Sequence, residues 1–264
     1  MGCSKKYILN DIQNILVNYP TDGSFIEPFV GGGSVFSELG KNYNKIVINV
    51  INYNLVAVYK NLQTIPDKFI NDCELLFSPL LNTEEEFKKL RNRYNSLPDG
   101  DYEKSVIFVY LNKHAFNGLY RVNSKGFYNV PFAHYNSVNF MRQKMENYVL
   151  KLKNVDISCD DFLNIISKAN ANDIIYCDPP YLPLSETSNF SQYEKISFKQ
   201  KEHEELVAAA ITAASRGCTV LISNHDTLET RKLYKNSKII EVNAKRSIGV
   251  KSAKSVKEII SIYD

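Results

Sequence analysis

Asp178-Pro179-Pro180-Tyr181 is the stretch whose residue types could do chemistry. It follows Ile174-Ile175-Tyr176-Cys177, an apolar run that reads as a short buried strand. A carboxylate, two prolines and an aromatic ring therefore sit just past a strand's carboxyl end, the edge at which open α/β sheets bind ligands. Two successive prolines cannot extend a sheet ladder, because neither has an N–H to donate. Their carbonyls stay available as acceptors. A carboxylate, a stiff carbonyl and an aromatic face together suit a planar group bearing an NH2, and adenine is such a group. Asp and Pro are also ordinary turn residues, so a plain strand-ending turn is the lesser alternative for the tetrapeptide alone.

Glu27-Pro28-Phe29-Val30-Gly31-Gly32-Gly33 is the second stretch of interest. The run Phe25 to Val30 predicts a strand and Ser34 to Leu39 a helix, with the glycines between them. Glycines at that junction let the backbone approach a ligand closely. A dinucleotide fingerprint would need a third glycine where Phe36 stands, and no Gly-Lys-Ser/Thr follows. Both the dehydrogenase and the P-loop readings fail on those residues.

The elements that must position these stretches follow an α/β pattern. Helical spacing predicts a helix over 4–18, then the strand, glycine loop and helix, then a strand from Lys45 to Val50. Residues 51–95 read as helical. From about Ile107 to Phe140 the chain becomes aromatic, basic and Asn-rich, which predicts a loop and a hairpin turning at Ser124-Lys125-Gly126. Strands resume at Val155–Cys159 and Ile174–Asp178. Ser197-Phe198-Lys199-Gln200 resembles a capping box opening a helix that stops at Gly217. Strands at Thr219–Ser223, Lys238–Val242 and Glu258–Tyr263 complete a doubly wound, mostly parallel α/β sheet.

The 264 residues suffice for one α/β domain with an insertion, and 44% hydrophobic with 23% charged residues excludes a disordered chain. A net charge of +3 is too small to indicate nucleic acid without clustering. Five cysteines without a C-x-x-C pair read as reduced thiols, and four histidines show no metal spacing. No apolar run is long enough to span a membrane and no apolar signal core opens the sequence, so a cytoplasmic protein without metal is expected.

Together the two motifs resemble the Dam-type (D12 class, alpha group) DNA adenine-N6 methyltransferases, over nearly the whole chain. Asn117-Gly118-Leu119-Tyr120-Arg121, Asn129-Val130-Pro131-Phe132, Ile222-Ser223-Asn224-His225-Asp226 and Arg246-Ser247-Ile248 are further family-like segments. The resemblance implies an AdoMet-dependent catalytic domain from 1–56 and 145–264, with a target-recognition insertion at 57–144 and its hairpin near 117–135. It implies that Asp178, Pro179, Pro180 and Tyr181 are catalytic, holding and stacking on a flipped adenine. Lys5, Glu27, Phe29, Gly31, Gly33, the position of Val50, Asp161, Phe162 and Asp178 would form the AdoMet site. Phe116, Asn117, Leu119, Arg121, Asn129, Pro131, Tyr135 and Arg246 would contact double-stranded DNA, with GATC as the expected target and a monomer as the expected state.

Two positions differ from the family pattern. Cys3-Ser4 stands where the family has Gly-Gly before Lys5, and Met1 where it has Trp. Val50 stands where the family has an Asp that accepts from the AdoMet ribose hydroxyls, with Asn49 and Asn52 as possible substitutes. Two readings stay open on these residues: an active methyltransferase, and a Dam-like DNA-binding relative with weak AdoMet binding.

Overall fold

The structure, a computed structural model, describes residues 8–182, 198–245 and 255–264. Its elements are α1 (Leu9–Leu16), β1 (Ser24–Glu27), α2 (Ser34–Leu39), β2 (Lys45–Asn49), α3 (Tyr53–Thr64), α4 (Pro66–Leu75), α5 (Glu84–Ser96) and α6 (Tyr102–His114). There follow α7 (Arg142–Leu152), β3 (Val155–Ser158), α8 (Phe162–Ser167), β4 (Ile174–Cys177) and α9 (Gln200–Ser215). β5 (Thr219–His225), α10 (Leu228–Leu233), β6 (Lys238–Lys245) and β7 (Ser255–Tyr263) complete the chain.

The strands form a seven-stranded sheet in the order β3-β2-β1-β4-β5-β7-β6. β1 pairs parallel with β2 and β4, and β4 with β5. β7 runs antiparallel to both β5 and β6. The expected mixed α/β, mostly parallel sheet is therefore present. β4 and β5 are buried along their whole lengths, which is why they read as continuous apolar runs rather than alternating ones.

By compactness the described chain divides into two units. One holds residues 8–49, 160–182, 198–245 and 255–264. Its core packs Ile26, Ile175, Val220 and Ile222 against Leu206 and Ala210 of α9. The other holds residues 50–159, with Tyr59, Phe69, Phe87 and Tyr110 fully buried.

Within the second unit the structure corrects one expectation. The region from about Ile107 is helix as far as His114, not loop. The helix was not evident over Phe108-Val109-Tyr110-Leu111 because α6 is buried on most sides, which removes the polar face that reveals a helix. The Asp101 side chain caps it by accepting from the Lys104 N–H at 3.0 Å. α7 and α10 are also additions to the sequence reading. Ser197 of the expected capping box lies outside the described residues. The helix starts at Gln200, capped by Lys199, whose N–H donates to the Glu202 carboxylate at 2.8 Å.

Asn49, the last residue of β2, does more than end a strand. Its side-chain amide donates to the carbonyls of Pro28 (3.1 Å) and Asp160 (3.0 Å), and its oxygen accepts from the Asp160 N–H (2.9 Å). Its backbone carbonyl accepts from Val30 at 3.0 Å. One buried carboxamide thus fixes the exits of β1 and β2 and the turn at Asp160. Asn49→Ala leaves those buried partners without it, so we expect a loss of about 2–4 kcal/mol, given roughly 1–3 kcal/mol per stranded group and partial relief by water. Urea unfolding measures this; a loss below about 1 kcal/mol would show the clamp to be dispensable.

Candidate active site and recognition hairpin

The first unit carries the glycine loop. Gly31 and Gly33 adopt φ of 46° and 69°, the left-handed region that a side chain resists. A Cβ built on Gly31 would meet, among the described atoms, little but the Phe29 carbonyl at 4.0 Å. Among the described residues, then, little crowds that face of the loop backbone. Glu27 anchors the loop: its buried carboxylate accepts from the Phe36 N–H at 2.9 Å, tying β1 to the first turn of α2.

Phe29 lies against Phe162, ring centroids 5.2 Å apart, and both rings meet Phe198 at 5.5 Å. Phe29 and Phe162, both expected at the cofactor site, thus lie together, and Phe198 joins them. The sequence offered no signal for Phe198 beyond an aromatic residue just ahead of a helix. Asp161 caps α8, one carboxylate oxygen accepting from the Leu163 N–H at 2.8 Å.

Asp178 to Tyr181 leave the end of β4, as expected. Pro179 is buried, Asp178 and Tyr181 are partly buried, and Pro180 is exposed. Behind them, Tyr176 exchanges a hydrogen bond with Ser223 at 2.9 Å. Tyr181 donates its hydroxyl to Glu258 at 3.1 Å and meets the His225 ring edge-on at 4.7 Å. Glu258 and His225 escaped the sequence reading as site residues, because an isolated polar residue in a strand has meaning only through its neighbour across the sheet.

Asn49 and Asn52 are both committed elsewhere. Asn49 makes the clamp above, and the Asn52 side chain caps α3 by accepting from the N–H groups of Asn54 (3.0 Å) and Leu55 (3.3 Å). Neither is therefore the substitute acceptor that the sequence suggested. Val50 is half-buried, its N–H donating to the Ser158 carbonyl at 3.4 Å. Lys5 and Arg246 lie outside the described residues. Among the described residues, no group of three or more His, Cys, Asp or Glu could hold a metal, and no helix is long and apolar enough to cross a membrane.

The unit of residues 50–159 carries the hairpin. Val122 and Tyr128 bridge antiparallel around the Ser124-Lys125-Gly126 turn, and Ala115 bridges Phe132. Phe116 (52% exposed), Leu119 and Tyr135 present apolar surface to solvent, and Asn117 holds a left-handed φ of 52°. Arg121 is exposed but not loose. Its Nε donates to the Asn129 side chain at 2.8 Å and a terminal nitrogen to the Asn129 carbonyl at 3.2 Å. Asn129 is thus a brace for Arg121. Asn95 supports the hairpin from α5: its amide accepts from the Tyr128 N–H (2.8 Å) and donates to the Tyr128 carbonyl (3.1 Å), as a strand partner would. Pro131 is exposed, and its carbonyl accepts from the Phe116 N–H at 3.0 Å.

Residues 3–248 match the family described as D12 class N6 adenine-specific DNA methyltransferase. The chain belongs to that family, and so it is an AdoMet-dependent, adenine-specific DNA methyltransferase. It is 34% identical to the DNA adenine methylase of Escherichia coli (strain K12), over 97% of this chain and 91% of that one. It is 36% identical to the DNA adenine methylase of Vibrio cholerae serotype O1 (strain ATCC 39315 / El Tor Inaba N16961), covering 98% and 92%. Among solved structures, a rRNA methylase from Streptococcus thermophilus covers all of both chains, at 8% identity and a TM-score of 0.40.

Burial holds the Glu27 carboxyl well above its ordinary value of 4.5; the Phe36 N–H opposes this, and the nearby Asp178 charge adds to it. The native state therefore holds this proton more tightly than the unfolded chain. That contribution to stability is complete below about pH 4.5 and is lost as pH rises through the raised value. Glu27→Gln removes the titration while keeping an acceptor for Phe36. The melting temperature of the variant relative to the parent should climb as pH rises above the ordinary carboxyl value of 4.5. A difference independent of pH would contradict this assignment.

Proposed function

We propose that the enzyme transfers the AdoMet methyl to N6 of an adenine flipped out of duplex GATC. The observation that supports this most directly is the Asp178–Tyr181 turn, standing at the carboxyl end of the fully buried β4 with its aromatic ring braced. The amine of a paired adenine is engaged inside the duplex, so the base must leave the stack before it reacts. Asp178 accepts one N–H of the amine and the Pro179 carbonyl accepts the other. Pro180 restricts the ψ of Pro179 and so limits the directions that carbonyl can take. Holding both hydrogens turns the nitrogen lone pair toward the donor, and positioning of this kind supplies much of the rate. Tyr181 is the stacking platform.

AdoMet, when bound, supplies a methyl activated by its sulfonium. The positive-φ glycine loop, little crowded beside Gly31 among the described residues, and the Phe29 and Phe162 rings fit such a ligand, and we assign Lys5, Glu27, Asp161 and Asp178 to the same site. Val50 offers the ribose no acceptor, so we infer AdoMet binding weaker by about tenfold to a hundredfold than with Asp there. We infer a monomer working in the cytoplasm.

Residues 57–144 are proposed as the target-recognition insertion. Arg121, held in one plane by Asn129, suits the O6 and N7 acceptors of guanine. Asn117, Leu119, Pro131 and Tyr135 line the same exposed segment. Phe116 suits a wedge between bases, as exposed apolar side chains serve in other DNA-kinking proteins. Arg246 is assigned to backbone phosphate.

Two measurements test this reading. Asp178→Ala should abolish methyl transfer while leaving the circular dichroism spectrum and melting temperature near the parent's, because the residue is only partly buried. Substantial residual transfer would remove Asp178 from the chemistry. Arg121→Ala should lower discrimination at the guanine by about 1–3 kcal/mol in competition between GATC and single-base variants. Unchanged ratios would remove Arg121 from the readout.

A further inference from the structure

Glu258 stands out among the charged residues of the sheet. It lies on β7 with 1% of its surface exposed, opposite His225 of β5 in the antiparallel register. Residues paired in this way project to the same face of a sheet. A carboxyl group is costly to bury unless it is partnered, so its position calls for a use. Its Oε2 accepts the Tyr181 hydroxyl at 3.1 Å, across 77 residues of sequence. The His225 ring meets the same tyrosine edge-on, with ring planes at 82°.

A ring whose whole task is to stack needs no hydroxyl; phenylalanine presents the same face. Here the hydroxyl is tied to a carboxyl group on a strand that reaches the turn only through β5. The hydroxyl tether and the edge contact constrain the ring from two directions. We propose that Glu258 is a positioning residue for methyl transfer: through the Tyr181 hydroxyl, and with the His225 edge, it fixes the plane on which the target base stacks. Glu258 contacts no substrate atom and exchanges no proton with one. The inference rests on the reading of Tyr181 as the base platform.

The test separates the two. Duplex DNA carrying 2-aminopurine at the target adenine reports base unstacking by fluorescence, and steady-state transfer gives kcat and KM separately. Tyr181→Ala should abolish transfer and change the fluorescence of the bound complex; full activity there would overturn the platform reading itself. Tyr181→Phe keeps the ring and should lower kcat about tenfold with KM for DNA within about twofold, because the tether acts on the reacting geometry rather than on duplex binding. Glu258→Ala should match it, and the double variant should be no slower than either single one. Glu258→Gln keeps a carbonyl acceptor and should recover activity to within about threefold of the parent. Parental kcat in Tyr181→Phe would overturn the proposal whether or not Glu258→Ala folds. Additive losses in the double variant, or a Gln variant as slow as the Ala variant, would also overturn it.

Discussion

The Asn49 carboxamide is the interaction on which the arrangement of the unit carrying the glycine loop depends. Each of its two side-chain atoms is shared with backbone beyond a strand end: Pro28 after β1 and Asp160 ahead of α8. Strand ends in an open parallel sheet are where loops diverge to bind ligands. Diverging loops leave polar backbone groups that a sheet ladder no longer satisfies, and buried groups of that kind must find partners. A single Asn, with two donors and an acceptor, satisfies three of them at once. The glycine loop then starts from a fixed place, since Val30 also donates to the Asn49 carbonyl.

The same economy holds along β4 and β5. β4 and β5 are wholly buried, yet they place Tyr176, Ser223 and His225 inside. Tyr176 and Ser223 satisfy one another, and Glu258 takes the Tyr181 hydroxyl. Glu27, one strand over, is held in its protonation preference by burial and given a backbone donor in Phe36. Ser223, His225, Glu27 and Glu258 therefore lie toward the strand ends from which Asp178 emerges. In the unit of residues 50–159 the analogous device is Asn95, which stands in for a missing strand beside Tyr128.

Much of this was legible in the sequence, and what was not had a common cause. The strands along the chain, the glycine loop and the Asp178 turn announce themselves through local pattern, and local pattern survives without coordinates. The hairpin turn at Ser124-Lys125-Gly126 was legible for the same reason. α6 was misread where burial on most sides erased its helical period. Asn49, Asn95, Glu258 and His225 were illegible as a class, because each acts through a partner distant in sequence, and nothing adjacent marks it. Asn49 and Asn52 looked like ligand-facing substitutes for an Asp at position 50. Their side chains instead hold the backbone.

The central claim is that this chain places a methyl on the adenine of GATC. The direct measurement is transfer of labelled methyl from AdoMet by the purified protein to two matched duplexes. One carries GATC and the other has its adenine replaced, and digestion identifies the product base. Label recovered as N6-methyladenine from the first duplex and absent from the second is the predicted result. Equal labelling of both duplexes, or none of either at saturating AdoMet, would contradict the account.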